Sequence, residues 1–136
     1  MARNTLVDAG FLVALLSLRD SHHQWVVTQA PGHAPPWRTC EAVLSEAFHL
    51  LGARGAPGLS ALLRRRALTA AFDLDNDVES VLKLLQKYVE VPMSLADACL
   101  VRMTETFSDP VILTTDSDFR IYRRHSRQVI PCVMPS

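Results

Sequence analysis

The sequence predicts an α/β fold: a three-layer α/β/α sandwich around a central, mainly parallel sheet, in a single domain over residues 1–136. Three observations carry that prediction. Short apolar runs alternate with longer helix-compatible segments, the pattern of a parallel sheet covered on both faces. The length, 136 residues, suits one buried core and is too short for two. With 49% hydrophobic residues and zero net charge, the chain is also far from the composition of a disordered segment.

The elements follow in order. A strand falls on residues 5–8 and a helix on 9–18 follows directly. Asp20 and Ser21 can cap a second helix over 22–29, which the Pro/Gly-rich stretch 31–36 ends. Trp37 and Arg38 form a second strand, and Thr39 suits the N-cap of a helix from residue 40 to about 53, closed at Gly52 or Gly55. Another helix over 59–68 carries the basic cluster 64–66. A strand over 70–74 and a helix capped by Asp75 and running through Lys87 come next. Val89 and Val91 lead to Pro92, and Ser94 opens a helix to about Thr106. A β-branched apolar strand over 111–114, a short helix after Asp116 and a last strand over 129–133 finish the chain. Trp25, Trp37 and Phe72 are expected at an interface or in the core.

Composition excludes several classes. The longest apolar run, 9–16, is well short of the ~20 residues of a membrane span. Asp8 interrupts the apolar N-terminus, where a signal peptide needs a clean hydrophobic stretch. Cys40, Cys99 and Cys132 are scattered and form neither a disulfide framework nor a paired zinc motif. The expectation is a soluble cytoplasmic protein with no membrane association. The balance of 14 basic and 14 acidic residues argues against a simple duplex-binding module. Residues 119–136 nevertheless hold Arg120, Arg123, Arg124 and Arg127 and no acid. That spacing would put all four on one helix face, either solvated or available to phosphate.

The chemistry lies in acids on apolar segments. Asp8 ends the first strand, Asp116 follows the strand over 111–114, and Asp97 lies between Ala96 and Ala98. Glu46, with Val43 and Leu50 as its i−3 and i+4 neighbours, flanks the apolar stripe of its helix, while Glu41 lies about 140° away. Unpaired buried acids cost several kcal/mol. No arginine lies near Asp8, Glu46 or Asp116 in sequence, and only Arg102 follows Asp97. Strand ends of an open parallel sheet converge on one crevice. Oxygen-only ligands there suit a hard cation, Mg²⁺ or Mn²⁺. Structural roles stay open beside this one: Ser94 and Asp97 have capping-box spacing, Asp116 can cap the next helix, and Asp8 can close a turn before Gly10. Glu46 caps nothing. Thr114 or Thr115 can bond an acid, or simply fill the strand end. His22 and His23 read as a helix start, His49 as surface or structural, and His125 as part of the basic segment.

At these acids the sequence resembles the PIN-domain nucleases, including the VapC-like toxins of toxin–antitoxin pairs. Leu6-Val7-Asp8-Ala9-Gly10-Phe11-Leu12 is similar to that family's opening. Glu41-Ala42-Val43-Leu44-Ser45-Glu46-Ala47, Leu95-Ala96-Asp97-Ala98 and Ile112-Leu113-Thr114-Thr115-Asp116-Ser117-Asp118-Phe119 resemble its second, third and fourth motifs. The likeness runs from about Leu6 to Val133, with the motifs in family order. It implies a metal-dependent endoribonuclease whose catalytic and metal-binding acids are Asp8, Glu46, Asp97 and Asp116, with Asp118 as a further candidate. It also implies Mg²⁺ or Mn²⁺ as cofactor and RNA as substrate, with a cognate antitoxin and a homodimer as the associated partners. Arg120, Arg123, Arg124 and Arg127 are the candidates for holding RNA. The alternatives are a non-catalytic PIN-type module that binds RNA or protein and retains its acids, or an enzyme acting on small phosphate esters.

Overall fold

The structure is a computed structural model, and it describes residues 3–136. Its centre is a five-stranded sheet in the order β3-β2-β1-β4-β7, with every pairing parallel. These strands are β1 (Asn4–Val7), β2 (Trp37–Thr39), β3 (Leu68–Ala70), β4 (Pro110–Leu113) and β7 (Cys132–Val133). The helices between them are α1 (Ala9–Leu16), α2 (His23–Gln29), α3 (Glu41–Arg64), α4 (Val78–Lys87) and α5 (Leu95–Thr106). α1 packs on α2 and α3, and α5 packs on α3 and α4, which gives the α/β/α sandwich its layers. A small antiparallel hairpin, β5 (Arg123–Arg124) and β6 (Gln128–Val129), stands apart from the main sheet. Among the described residues, no helix is long and apolar enough to cross a membrane.

The sheet grows from β1 in both directions, toward β2 and β3 on one side and toward β4 and β7 on the other. The C-terminal ends of β1 and β4 therefore flank the point where strand order reverses, the position at which open parallel sheets leave a crevice. Leu6, Val7, Ile112 and Leu113 are fully buried, as strands covered on both faces require. Phe11 of α1 meets Trp25 and Trp37 edge-on, with ring centroids 6.2 and 5.6 Å apart. Both tryptophans thus pack against the core of this chain.

Five expectations need correction. The helix expected from 40 to about 53 does break at Gly52 (φ 63, ψ −167), but the next helix starts directly after it and not at 59, so the two run together as α3. It ends at Arg64 because Arg66 adopts a left-handed φ of 63. The Ala67 N–H then bonds Leu62 O at 3.0 Å and the Arg66 N–H bonds Leu63 O at 3.2 Å, a Schellman closure that starts β3 two residues early. Asp75 lies inside a 3-10 turn, Leu74–Asp77, that Asp73 caps by accepting from Asp75 N at 3.1 Å, and α4 follows from that turn with no side-chain cap of its own. The strand expected over 129–133 is split between β6 and β7, and Arg120, Arg123, Arg124 and Arg127 share no helix face. Arg120 closes a 3-10 turn, Ser117–Arg120, and left-handed His125 (φ 50) and Ser126 (φ 69) fold the rest into the hairpin.

Candidate active site

A cavity of about 150 Å³ opens at the ends of β1 and β4, and Asp8, Glu46, Asp97 and Asp116 all line it. Glu41 and Asp118 do not. Val43, Ala96 and Leu100 supply apolar wall between the acids.

Asp8 is the first residue after β1 and the N-cap of α1, so strand and helix join with no loop between them. Its Oδ1 accepts from the Phe11 N–H at 2.8 Å, and its Oδ2 accepts from the Thr114 hydroxyl. The residue is only 6% exposed. Burial pushes its carboxyl from 3.8 up to about 7, against the pull of the Thr114 and Phe11 bonds and helped by the charges of Asp116 and Asp97. Gly10 allows this close junction, because a Cβ there would collide with the Thr115 hydroxyl.

Thr114, fully buried at the end of β4, donates to Asp8 and accepts from the Asp116 N–H at 2.8 Å. One hydroxyl therefore ties two of the acids together. Asp116 Oδ1 accepts in turn from the Asp118 N–H at 2.9 Å. Asp118 thus reaches the site through its backbone while its side chain stays outside the cavity. Asp97 completes a capping box: Ser94 Oγ accepts from Asp97 N at 3.0 Å, and Asp97 Oδ2 accepts from Ser94 N at 3.4 Å. The same Oδ2 accepts from the Tyr122 hydroxyl at 3.0 Å. Burial raises the Asp97 carboxyl above its usual range, the Tyr122 and Ser94 bonds oppose the rise, and Asp116 adds to it. Glu46 stands exposed on α3 at the cavity's edge.

Among the described residues, no basic side chain forms an ion pair with these acids. Arg102, the one arginine close to Asp97 in sequence, is taken by Asp77 at 2.8 Å and Glu105 at 3.2 Å. The remaining ion pair among the described residues joins Arg3 to Asp109. Among those residues, no three Asp, Glu, His or Cys side chains are gathered closely enough to grip an ion as they stand. The donor set still fits a hard cation. It is all oxygen, and each of the two acids in its interior is pushed toward its neutral form by burial, with a smaller push from a neighbouring carboxylate.

Tyr122 is the site residue that sequence reasoning missed. Its only local signal is that a buried tyrosine needs a partner for its hydroxyl. Thr114 proves to be a bonding partner of the acids as well as a strand residue. The arginines divide. Arg123 Nη1 donates to the carbonyls of Arg120, Ile121 and Tyr122, and Arg124 donates to Thr104 O at the end of α5. Arg120 and Arg127 are exposed. His23 bonds Ala14 O at 2.7 Å and tethers α2 to α1, while His125 turns the hairpin.

The sequence profile of the PIN domain matches residues 5–124. No curated protein sequence matches the chain. Among solved structures, it is similar to Mycobacterium tuberculosis VapC20, described as a sarcin-ricin loop cleaving toxin. The TM-score is 0.73 at 21% identity, over 84% of this chain and 91% of that one.

Proposed function

Because the chain belongs to the PIN domain family, we propose that it is a divalent-metal-dependent endoribonuclease, with Asp8, Glu46, Asp97 and Asp116 holding Mg²⁺ or Mn²⁺. The observation that carries this reading is four carboxylates around one cavity with no basic side chain to neutralise them. When bound, a divalent ion supplies positive charge for the scissile phosphate and activates the attacking water.

The chain's own part is to fix the oxygens. Thr114 and the Phe11 N–H occupy one lone pair on each Asp8 oxygen, which prevents the carboxylate from rotating and leaves its other lone pairs to the cavity. Tyr122 and Ser94 both donate to Asp97 Oδ2, which leaves Oδ1 to the cavity, and the Asp118 N–H holds Asp116 by Oδ1 alone. Arg120 and Arg127, exposed beyond Asp116, supply phosphate contacts, whereas Arg123 and Arg124 have guanidinium groups committed to backbone carbonyls.

The likeness to VapC20, a toxin, supports reading this chain as a toxin; a cognate antitoxin, a homodimer and a cytoplasmic location belong to the same proposal. Asp8→Asn and Asp116→Asn should each abolish RNA cleavage in Mg²⁺ or Mn²⁺, and Glu41→Gln should retain it. Wild-type cleavage rates in both Asn variants would overturn the assignment. RNA binding without cleavage by the unaltered protein would point instead to a non-catalytic module.

A further inference from the structure

Beside the carboxylate cavity lies a larger hollow of about 580 Å³, walled by Arg120, Val129, Pro131, Cys132, Val133 and Met134. The two are joined through Thr114. Its N–H bonds Val133 O at 3.1 Å, and its hydroxyl donates to Asp8. Cys132 lies in the field of both sites: burial pushes its thiol up to about 11, the Asp8 carboxylate adds to the rise and the Arg120 guanidinium opposes it.

The lining is mostly aliphatic, with the buried Phe119 ring, the Cys132 thiol and the Met134 thioether, and it has one exposed cation, Arg120, and no carboxylate. Val129 is 67% exposed on that wall. Such a surface suits a ligand with an anionic group and a flat apolar face. β7 is also the edge of the sheet, so peptide groups on its open side are free to meet the edge of a base.

We propose that this groove is a nucleotide subsite in which Arg120 binds the phosphate beside the one cut and the aliphatic wall receives the unstacked base. The inference rests on the ribonuclease reading and narrows its substrate to unpaired RNA, because bases inside an A-form duplex keep their faces stacked.

The test is equilibrium binding, in the Asp8→Asn background, of a fluorescent single-stranded RNA of mixed sequence and of an abasic strand of equal length. Arg120→Ala should weaken binding of both strands by roughly tenfold and lower the salt slope by about one. Val129→Asn, which changes no charge, should weaken the base-bearing strand roughly tenfold and leave the abasic strand unchanged. Lys83→Ala, which removes a charge from the exposed face of α4, controls for the net charge lost in Arg120→Ala and should alter neither. If the protein with Asp8 intact cleaves RNA while Arg120→Ala and Val129→Asn bind both strands normally, the subsite is wrong and the nuclease stands. Equal losses on both strands for Val129→Asn, or tighter binding of the annealed duplex, also overturn it. If the unaltered protein neither binds nor cleaves RNA, both readings fall.

Discussion

Asp8 uses one carboxylate oxygen to start α1 and the other to meet Thr114, so its protonation touches fold and site together. Its pKa rises from 3.8 in an unfolded chain to about 7 in the native one, which means the folded state holds the proton longer. Stability conferred by that proton is complete below pH 3.8 and is lost as pH rises through about 7. Without divalent metal, the protein should therefore weaken between pH 5 and pH 7.5, by ~2–3 kcal/mol from this group. Asp8→Asn should weaken less over the same range, keeping only the smaller share that comes from Asp97, which burial also raises. Manganese at a hundredfold excess over its dissociation constant should return about 2.7 kcal/mol at pH 7.5, and only when Asp8 is present. Thermal melts in EDTA and in Mn²⁺ check both statements, and a Mn²⁺ shift of equal size in the variant would place the ion elsewhere. Tyr122→Phe tests the second anchored acid. Losing a hydrogen bond to a charged group should cost ~1–3 kcal/mol. It should also raise the Asp97 carboxyl further, because the Tyr122 bond holds that pKa down. The acid limb of a cleavage pH profile should then move to higher pH, whereas a purely structural tyrosine would leave it in place.

α3 reaches the cavity with its first turns and bends well beyond it, at Gly52. The φ and ψ there lie in a region that residues with a Cβ scarcely enter. A Cβ at that point would meet nothing within 4 Å, so Gly52→Ala changes only backbone conformation. A urea titration should show a loss of ~1–3 kcal/mol, and an unchanged midpoint would mean the kink is not required. Elements with local signals were legible in the sequence. α5 announces itself through Ser94 and Asp97, and β1 and β4 through short apolar runs, so the acids on them were placed by reasoning from sequence. What escaped depends on residues in conformations their type rarely adopts. Arg66 ends α3 in a left-handed state usually taken by glycine, and a helix-stop reading has no reason to look for it. His125 and Ser126 take left-handed φ within the three-residue loop 125–127, where glycine or asparagine would normally give the signal, so the arginine spacing imitated a helix. The bond from Tyr122 to Asp97 crosses 25 positions and leaves no periodic trace.

Across the whole molecule, the sheet places β1 between two strands that arrive later in the chain, and its longer pairing is with β4. Four acids from four separate segments meet because of that order. A chain cut after Asp109 would keep Asp8, Glu46 and Asp97 yet lack β4, Thr114 and Asp116. It should show no cooperative melt and no RNA cleavage, because β1 would lose the neighbour that covers one of its edges. A sharp transition in that fragment would mean the first half of the sheet is stable alone. The strand order has one more consequence, which lies in time. Translation delivers Asp8 well before Asp116, and the proposed chemistry requires the two side by side. On that reading, a growing chain on the ribosome carries a dismantled catalyst until Asp116 has emerged.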